Sequence, residues 1–405
     1  MTPAIAPSPA GPITDPERAD VLDALRGFAL LGILISHVPD FTGYSFLGPA
    51  QRALIDPLGV DPSVSAWLVL IIREKFVSLF SLLFGIGYAV QLDSAVRRGA
   101  PFRRRFARRL AVLFLIGLAH AAIWYGDILK DYALLGVAFL FVSRWSLGRI
   151  ASAAVLLLLT RLAWPSLVYL VATAVGVSQS GAAPAQAFAD GAVGMTAGPA
   201  AFFRENLQLV GLKALQMIYE GRFLTILSMF FIGAGIGKSQ LYRHLPRLRA
   251  MLLSLVLVCG LIGGGANAAL IPYAHATNTF PPVPDWVVVQ SLTAIAAPAL
   301  CLAYAAAFAL AWSMLQGRFL RPLAPVGRTA LTSYISQTLI CTVAFVWLGL
   351  GRGLGAVGCL AVAVALFAAQ GALAAAWLRR FRFGPLEWLW RCATYGELLE
   401  LRRLR

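Results

Sequence analysis

The chain has 405 residues, of which 59% are hydrophobic and only 13% charged, against roughly 25% charged in a typical soluble domain. A water-soluble surface cannot be built from that composition, and the mean hydropathy of +0.76 agrees. The formal net charge of +16 raises the possibility of nucleic acid, but the basic residues sit in short loops between apolar runs and form no contiguous stripe of the kind a nucleic-acid groove needs, so nucleic acid is excluded as a partner.

Residues 1–19 are rich in Ala and Pro, carry Asp15 and Glu17 and lack the basic start and cleavage motif of a secretory signal, which predicts a disordered leader. Apolar runs then follow near 22–39, 65–92, 107–125, 128–143, 150–175, 222–238, 250–272, 287–313, 329–349 and 355–378. Runs of about 17–25 apolar residues are long enough to cross a bilayer as helices, and in lipid every backbone polar group needs an internal partner. The expected fold class is therefore all-α: a polytopic transmembrane helical bundle of about ten spans, a single domain over 20–396 embedded in the lipid bilayer, with a basic tail over 397–405.

Charge supports that count. Arg18, the arginines from Arg97 to Arg109, Arg144 and Arg149, the stretch from Lys238 to Arg249, Arg318 to Arg328 and the tail from Arg379 place 24 of the 34 basic residues on one side of the alternation and six on the other. The positive-inside rule then puts both termini in the cytoplasm. The fourth run, 128–143, is short enough to be re-entrant; if it did not cross, the alternation of charge after it would invert, and it does not. The longest segment on the poorer side, about 176–221, begins with Gly, Ala, Ser and Pro and ends in AFFRENLQLVGLKALQMIYE. Phe203, Leu207, Val210, Met217 and Ile218 fall near one helical face there, which predicts an interfacial helix on the outer leaflet.

Ionisable groups inside a membrane are costly and mark sites or buried pairs. Arg26 and His37 lie on the first run, and eleven steps of about 100° return to within about 20° of the same face, roughly 16 Å along the axis. One helix can present both to one cavity; the plainer alternative is that Arg26 snorkels to the interface and His37 sits in headgroup water. His120 ends the third run and Asp127 follows just after Gly126. A carboxylate can fix the imidazole tautomer and stabilise its cation, as a general base requires, although Asp127 is also placed to cap the next helix. Arg73, Glu74 and Lys75 interrupt the second run, and three consecutive charges cannot share a helix face; a structural ion pair and a substrate contact both fit. Arg328 opens the ninth run, followed by Thr332, Tyr334 and Gln337, groups that often bond across helices.

The GxSxG, HExxH, Walker and dinucleotide patterns do not occur. With four histidines, two of them (His244 and His275) isolated in loops, no metal site is expected. The five cysteines form no CxxC pair and read as small packing residues.

The strings RADVLDALRGFALLGIL, KFVSLFSLLFGIG, GLAH followed by YGDIL, GRTALTSYISQTLIC and GPLEWLWRCATYG occur in that order. They resemble the YeiB-like family of bacterial inner-membrane proteins, also called domain of unknown function 418, over about residues 18–396. The first-run motif is also similar to that of a wider group of membrane acyltransferases, including acyltransferase family three and the heparan-alpha-glucosaminide N-acetyltransferases. In acyltransferase family three an Arg and a His at the spacing of Arg26 and His37 are held essential, whereas YeiB-like members often carry Asn at the position of His37, which moves weight to His120 and Asp127.

The resemblance implies an inner-membrane acyltransferase that takes an acyl group from a cytoplasmic donor and passes it to a hydroxyl or amine of an extracytoplasmic glycan, lipid or small molecule. Acyl-CoA is the expected co-substrate, with no bound cofactor. His120, Asp127 and His37 are then the catalytic candidates, and Arg26, Glu74, Lys75 and Gln337 the substrate-binding ones. The alternative is a transporter or flippase for a lipid-linked or small amphipathic substrate, in which the same groups bind or relay protons. A homo-oligomer is compatible with either.

Overall fold

A backbone that lies in hydrocarbon satisfies its polar groups within helices, and the computed structural model of the chain is built that way. It describes residues 20–56, 59–176, 190, 199–276 and 281–403, among which the only extended pairing is one bridge between Phe381 and Arg402. The expected leader over 1–19 and most of the linker that follows residue 176 lie outside the described residues.

The elements run α1 (Asp20–Phe41), α2 (Pro49–Leu54), α3 (Asp61–Ile71), α4 (Lys75–Arg97), α5 (Phe102–Ala121), α6 (Leu129–Gly136), α7 (Leu147–Ala174), α8 (Pro199–Tyr219) and α9 (Arg222–Lys238). They continue as α10 (Arg249–Ala268), α11 (Pro284–Met314), α12 (Ala324–Arg328), α13 (Ala330–Cys341), α14 (Ala356–Arg380) and α15 (Pro385–Tyr395). Among the described residues, six helices are long and apolar enough to cross a membrane, or seven if α8 and α9, which meet at a 70° bend, count as one span.

Burial sorts the helices. α1 is central: Ala24, Ala29, Leu30, Leu34 and Val38 along it are at most 1% exposed. α7 and α10 are peripheral and turn Leu156, Leu159, Leu170, Leu257 and Leu261 outward. Water does not solvate such a belt of leucines, and lipid chains do.

Two expected runs are divided. The run 65–92 breaks after α3, where Glu74 takes a left-handed backbone (φ 67°) just before α4 begins. The cause is charge: the break lets Glu74 pair with Arg222 at 2.9 Å and lets Lys75 Nζ donate to Asn267 Oδ1 at 3.0 Å, so neither faces lipid. The run 128–143 is α6 followed by a 3-10 turn over Val137–Leu140. The helix expected before residue 221 is present as α8, but the face that packs inward carries Phe202, Asn206 and Leu209, while Phe203, Leu207 and Ile218 look outward. Asn206 Nδ2 donates to the Ala121 carbonyl at 2.7 Å, which ties α8 across the end of α5.

Without a strong hydrophobic drive between helices in lipid, close backbone approach through small residues holds such a bundle together. One such approach joins α4 and α9, reciprocally. A Cβ on Gly85 would lie 2.0 Å from the Phe230 carbonyl oxygen, and one on Gly233 would lie 2.0 Å from that of Leu82. Gly85→Leu should therefore force α4 and α9 apart and lower the unfolding midpoint of the detergent-purified protein by several degrees, since overpacking typically costs about 1–3 kcal/mol. Gly260→Leu is the control, because a Cβ there meets nothing within 4 Å, and its midpoint should not move.

Candidate functional site

A cavity of about 250 Å³ is enclosed by α1, α4, α5, α6, α12, α13 and α15, with its four arginines toward the start of α1. Its lining changes character with depth. Near the arginine-rich end stand Arg26, Arg109, Arg328 and Arg391 with Asp23, Glu387 and Gln91. Further in, Leu30, Ile33, Phe80, Leu83, Leu113, Ile128 and Leu129 make an apolar chamber, with Tyr132 and Tyr334 as its polar exceptions.

The mouth residues come from α1, α4, α5, α12 and α15. Arg26 pairs with Asp23 one turn earlier on α1. Arg109 on α5 lies over the Trp390 ring at 3.6 Å, and Trp390 Nε1 donates to the Arg109 carbonyl at 2.9 Å, which locks α15 against α5. Glu387 fixes the other side of α15: Oε1 accepts from the Leu331 and Thr332 backbone nitrogens at 2.6 and 3.0 Å, and Oε2 from the Thr332 hydroxyl at 2.6 Å. Burial raises the Glu387 carboxyl above its ordinary value, an effect that these donors oppose. Four guanidinium groups against two carboxylates, one already paired and one already engaged, leave a mouth that suits phosphate oxygens.

Beyond the chamber lies the histidine. His120 Nδ1 is 2.7 Å from Asp127 Oδ1, and both residues are 2% exposed. Asp127 Oδ2 accepts from the Lys130 backbone nitrogen at 2.9 Å, so this carboxylate orients the imidazole and caps the start of α6 at once. The reversal at 122–128 that makes this contact depends on Gly117, where a Cβ would lie 2.4 Å from the Lys130 nitrogen. His120 Nε2 is 2.9 Å from Thr338 Oγ1 on α13, and its ring centroid is 5.0 Å from that of Tyr334.

His37 stands apart from that pair, on the side away from the arginines, with its ring centroid 6.2 Å from that of Trp124. Charges cluster near it. Lys213 and Arg222 act electrostatically on His37 and Glu74, and Lys213 also on Asp40. Lys213 donates to Gln216 at 3.1 Å and Gln216 to Glu220 at 2.7 Å. Arg26 and His37 therefore share α1 but serve opposite ends of it.

The remaining candidates do not join the cavity. Glu74 and Lys75 are held by Arg222 and Asn267, and Gln337 donates to Gln370 Oε1 at 2.8 Å, which ties α13 to α14. Conversely, Arg109 and Arg391 line the mouth although the sequence presents them only as loop and tail charges. The signal available for Arg391 was the string EWLWR, an amphipathic segment beyond the last apolar run.

The chain is 31% identical over 401 residues to the uncharacterized protein YeiB of Escherichia coli strain K12, with 93% of this chain and 96% of that one covered. It is 30% identical over 402 residues to the uncharacterized protein YxaH of Bacillus subtilis strain 168, with 94% of each covered. An uncharacterized 39.9 kDa protein of Bacillus acidopullulyticus is 28% identical over 399 residues. The family model described as a protein of unknown function, DUF418, matches residues 236–397. No solved structure matches the chain.

If Glu387 pins α15, then Glu387→Ala leaves three donors of α13 without their acceptor, a cost of about 1–3 kcal/mol for each that stays buried. Trypsin should then cut after Arg379, Arg380 or Arg382 at least ten times faster than in the wild type, with Glu387→Gln in between. Unchanged cleavage in Glu387→Ala would mean that the Arg109–Trp390 contact alone holds the helix.

Proposed function

The chain belongs to the YeiB-like DUF418 family, and from that membership and the geometry of its site we propose that it is a membrane acyltransferase which draws an acyl thioester, acyl-CoA, from the cytoplasm and passes the acyl group to a hydroxyl or amine on the far side of the membrane. The observation that carries the reading is a single cavity whose mouth holds Arg26, Arg109, Arg328 and Arg391 and whose apolar depth ends at Tyr334, beside the His120–Asp127 pair. An acyl-CoA has the same order of parts: anionic phosphates, a long arm and a reactive carbonyl. Guanidinium groups grip the phosphates bidentately, and His120, oriented by Asp127, acts as the general base.

The topology we propose is supported by the same arrangement. The arginine-rich end faces the cytoplasm by the positive-inside rule, in a bacterial inner membrane. We read ten crossings by α1, α4, α5, the α6 segment, α7, α9, α10, α11, α13 with its π-helical extension, and α14, with both termini inside. α8 then lies across the outer end. The acceptor approaches from there, past His37 and Trp124. The buried indole Nε1 of Trp124 has no hydrogen-bond partner among the described residues, and an acceptor oxygen would satisfy it.

Reporter fusions after Arg105, Arg247 and Arg321 should give cytoplasmic signals and fusions near Pro184 and Pro282 external ones; a cytoplasmic signal at Pro184 would overturn the ten-span topology. Function is tested by mass spectrometry of envelope glycans and lipids from cells with and without the protein, followed by variants at matched expression. A product that is covalently acylated only when the protein is present supports the enzyme; movement of an amphiphile without modification would assign the cavity to transport. His120→Ala should lose about 10²–10⁴-fold in rate, with Asp127→Asn close to it and the double variant little worse than either, because residues that act as a unit are not additive. Arg26→Lys should fall nearly as far as Arg26→Ala, since an ammonium lacks the fork. His37→Asn should be tolerated; inactivity there with an active His120→Ala would move the chemistry to α1.

A further inference from the structure

Hydroxyl groups in these helices mostly bond back onto their own backbone, as such side chains do in apolar surroundings. Ser78 and Ser81 donate to carbonyls four residues back at 2.8 Å, Thr293 does the same at 2.8 Å, and Ser336 on α13 donates to the Ser333 carbonyl at 3.0 Å. Thr338, two residues beyond Ser336, does not. Its hydroxyl crosses to another helix and meets His120 Nε2 at 2.9 Å, while Asp127 holds the other ring nitrogen at 2.7 Å. With Asp127 ionised and the imidazole neutral, Nδ1–H donates to the carboxylate and Nε2 accepts the Thr338 proton.

The order carboxylate, imidazole, hydroxyl is the arrangement that activates an oxygen nucleophile. Its position matters as much as its order. Thr338 follows Tyr334 by four residues on α13, so the two lie on one face of the helix, and Tyr334 lines the cavity. The hydroxyl therefore sits one turn beyond the chamber's end, on the line from the arginine mouth. His37 follows the chamber residue Ile33 by one turn of α1, away from Arg26, and Trp124, whose backbone nitrogen donates to the His120 carbonyl at 2.9 Å, has its ring 6.2 Å from that of His37. Thr338, at 2% exposure, belongs to the plug between the two ends.

We propose that the structure assigns Thr338 as the covalent acyl carrier, a nucleophile that takes the acyl group from a thioester reached through the arginine-lined cavity and surrenders it to an acceptor arriving from the opposite end. This rests on the acyltransferase reading above. In the first half, Thr338 Oγ1 attacks the thioester carbonyl, His120 Nε2 takes the hydroxyl proton, the C–S bond breaks, and the proton passes to the leaving thiolate; the products are a threonine ester and free thiol. In the second half, an acceptor hydroxyl or amine attacks that ester, His120 takes its proton and returns it to Thr338 Oγ1 as the C–O bond breaks. Nothing is oxidised or reduced. A covalent relay also explains why the histidine can be sealed by Tyr334 and Thr338: donor and acceptor need not share one open passage.

The test uses the full-length protein in detergent, without acceptor, incubated with acetyl-CoA, butyryl-CoA and palmitoyl-CoA, each labelled in the acyl group. The expected result is label from at least one thioester bound near one per chain, stable to denaturation and to neutral hydroxylamine, and mapped by tandem mass spectrometry to Thr338. Thr338→Ser should keep the adduct, and Thr338→Val should lose it while still eluting as a monodisperse peak. Thr338→Cys should turn it into a thioester that neutral hydroxylamine releases, a change of bond chemistry that a packing role for this side chain would not produce. His120→Ala should slow labelling at least 100-fold. If the wild type consumes a thioester in the presence of cell-envelope extract but forms no adduct at Thr338, or if Thr338→Val turns over normally, the carrier is overturned and the acyltransferase reading stands. If no thioester is consumed with or without extract, both fall together.

Discussion

The contact between His120 and Asp127 decides how the rest of the site is arranged. A carboxylate and an imidazole at 2.7 Å, both 2% exposed, can persist in an apolar interior only if their remaining polar atoms are also engaged, because each buried group left without a partner costs about 1–3 kcal/mol. Asp127 meets that demand through the Lys130 nitrogen and His120 through Thr338. Three segments are thereby joined: the end of α5, the start of α6 and the middle of α13. Gly117 makes the joint sterically possible, since any side chain there would strike the returning backbone.

The same requirement explains which charged residues stand inside the bundle and which do not bear on the site. Glu74 and Arg222, Lys75 and Asn267, and Gln337 and Gln370 are neutralised or satisfied pairwise, as polar groups between membrane helices usually are. Two arginines of the cavity mouth show another use of charge. Arg109 is stacked on Trp390 and Arg26 is paired with Asp23 one turn away, and both line a space large enough for a ligand. Positive charge concentrated in a concave, partly apolar site raises the local concentration of anions, and this is the property expected of a site for a phosphorylated amphiphile.

The C-terminal helix α15 is part of that site and not an appendage. Glu387 and Trp390 bind it to α13 and α5 from two directions, and Arg391 and Tyr395 complete the cavity wall. It follows the last long apolar helix, with the charged turn 379–384 between them, so it contributes to the cavity from the end of the bundle instead of from within it. Any ligand that entered from the arginine-rich end would meet α15 first.

Composition and charge pattern alone determined that this chain is a helical membrane protein, because apolar length and the absence of charge are local properties that each run displays independently of its neighbours. The ordered motifs were enough to indicate the family. The pairing of His120 with Asp127 was also legible, since six residues with a glycine among them allow a chain reversal that joins the two side chains. What the sequence left open required contacts between distant segments. Whether Glu74, Lys75 and Gln337 face a substrate or a partner depends on Arg222, Asn267 and Gln370, which lie far along the chain and carry no mark of the pairing. Whether a loop arginine stays in solvent or lines a cavity depends on where α15 folds back, and a short amphipathic tail does not specify that by periodicity. Thr338 is the clearest case: in sequence it is one hydroxyl among several on α13, and only the position of α5 across from it sets its oxygen 2.9 Å from an oriented imidazole.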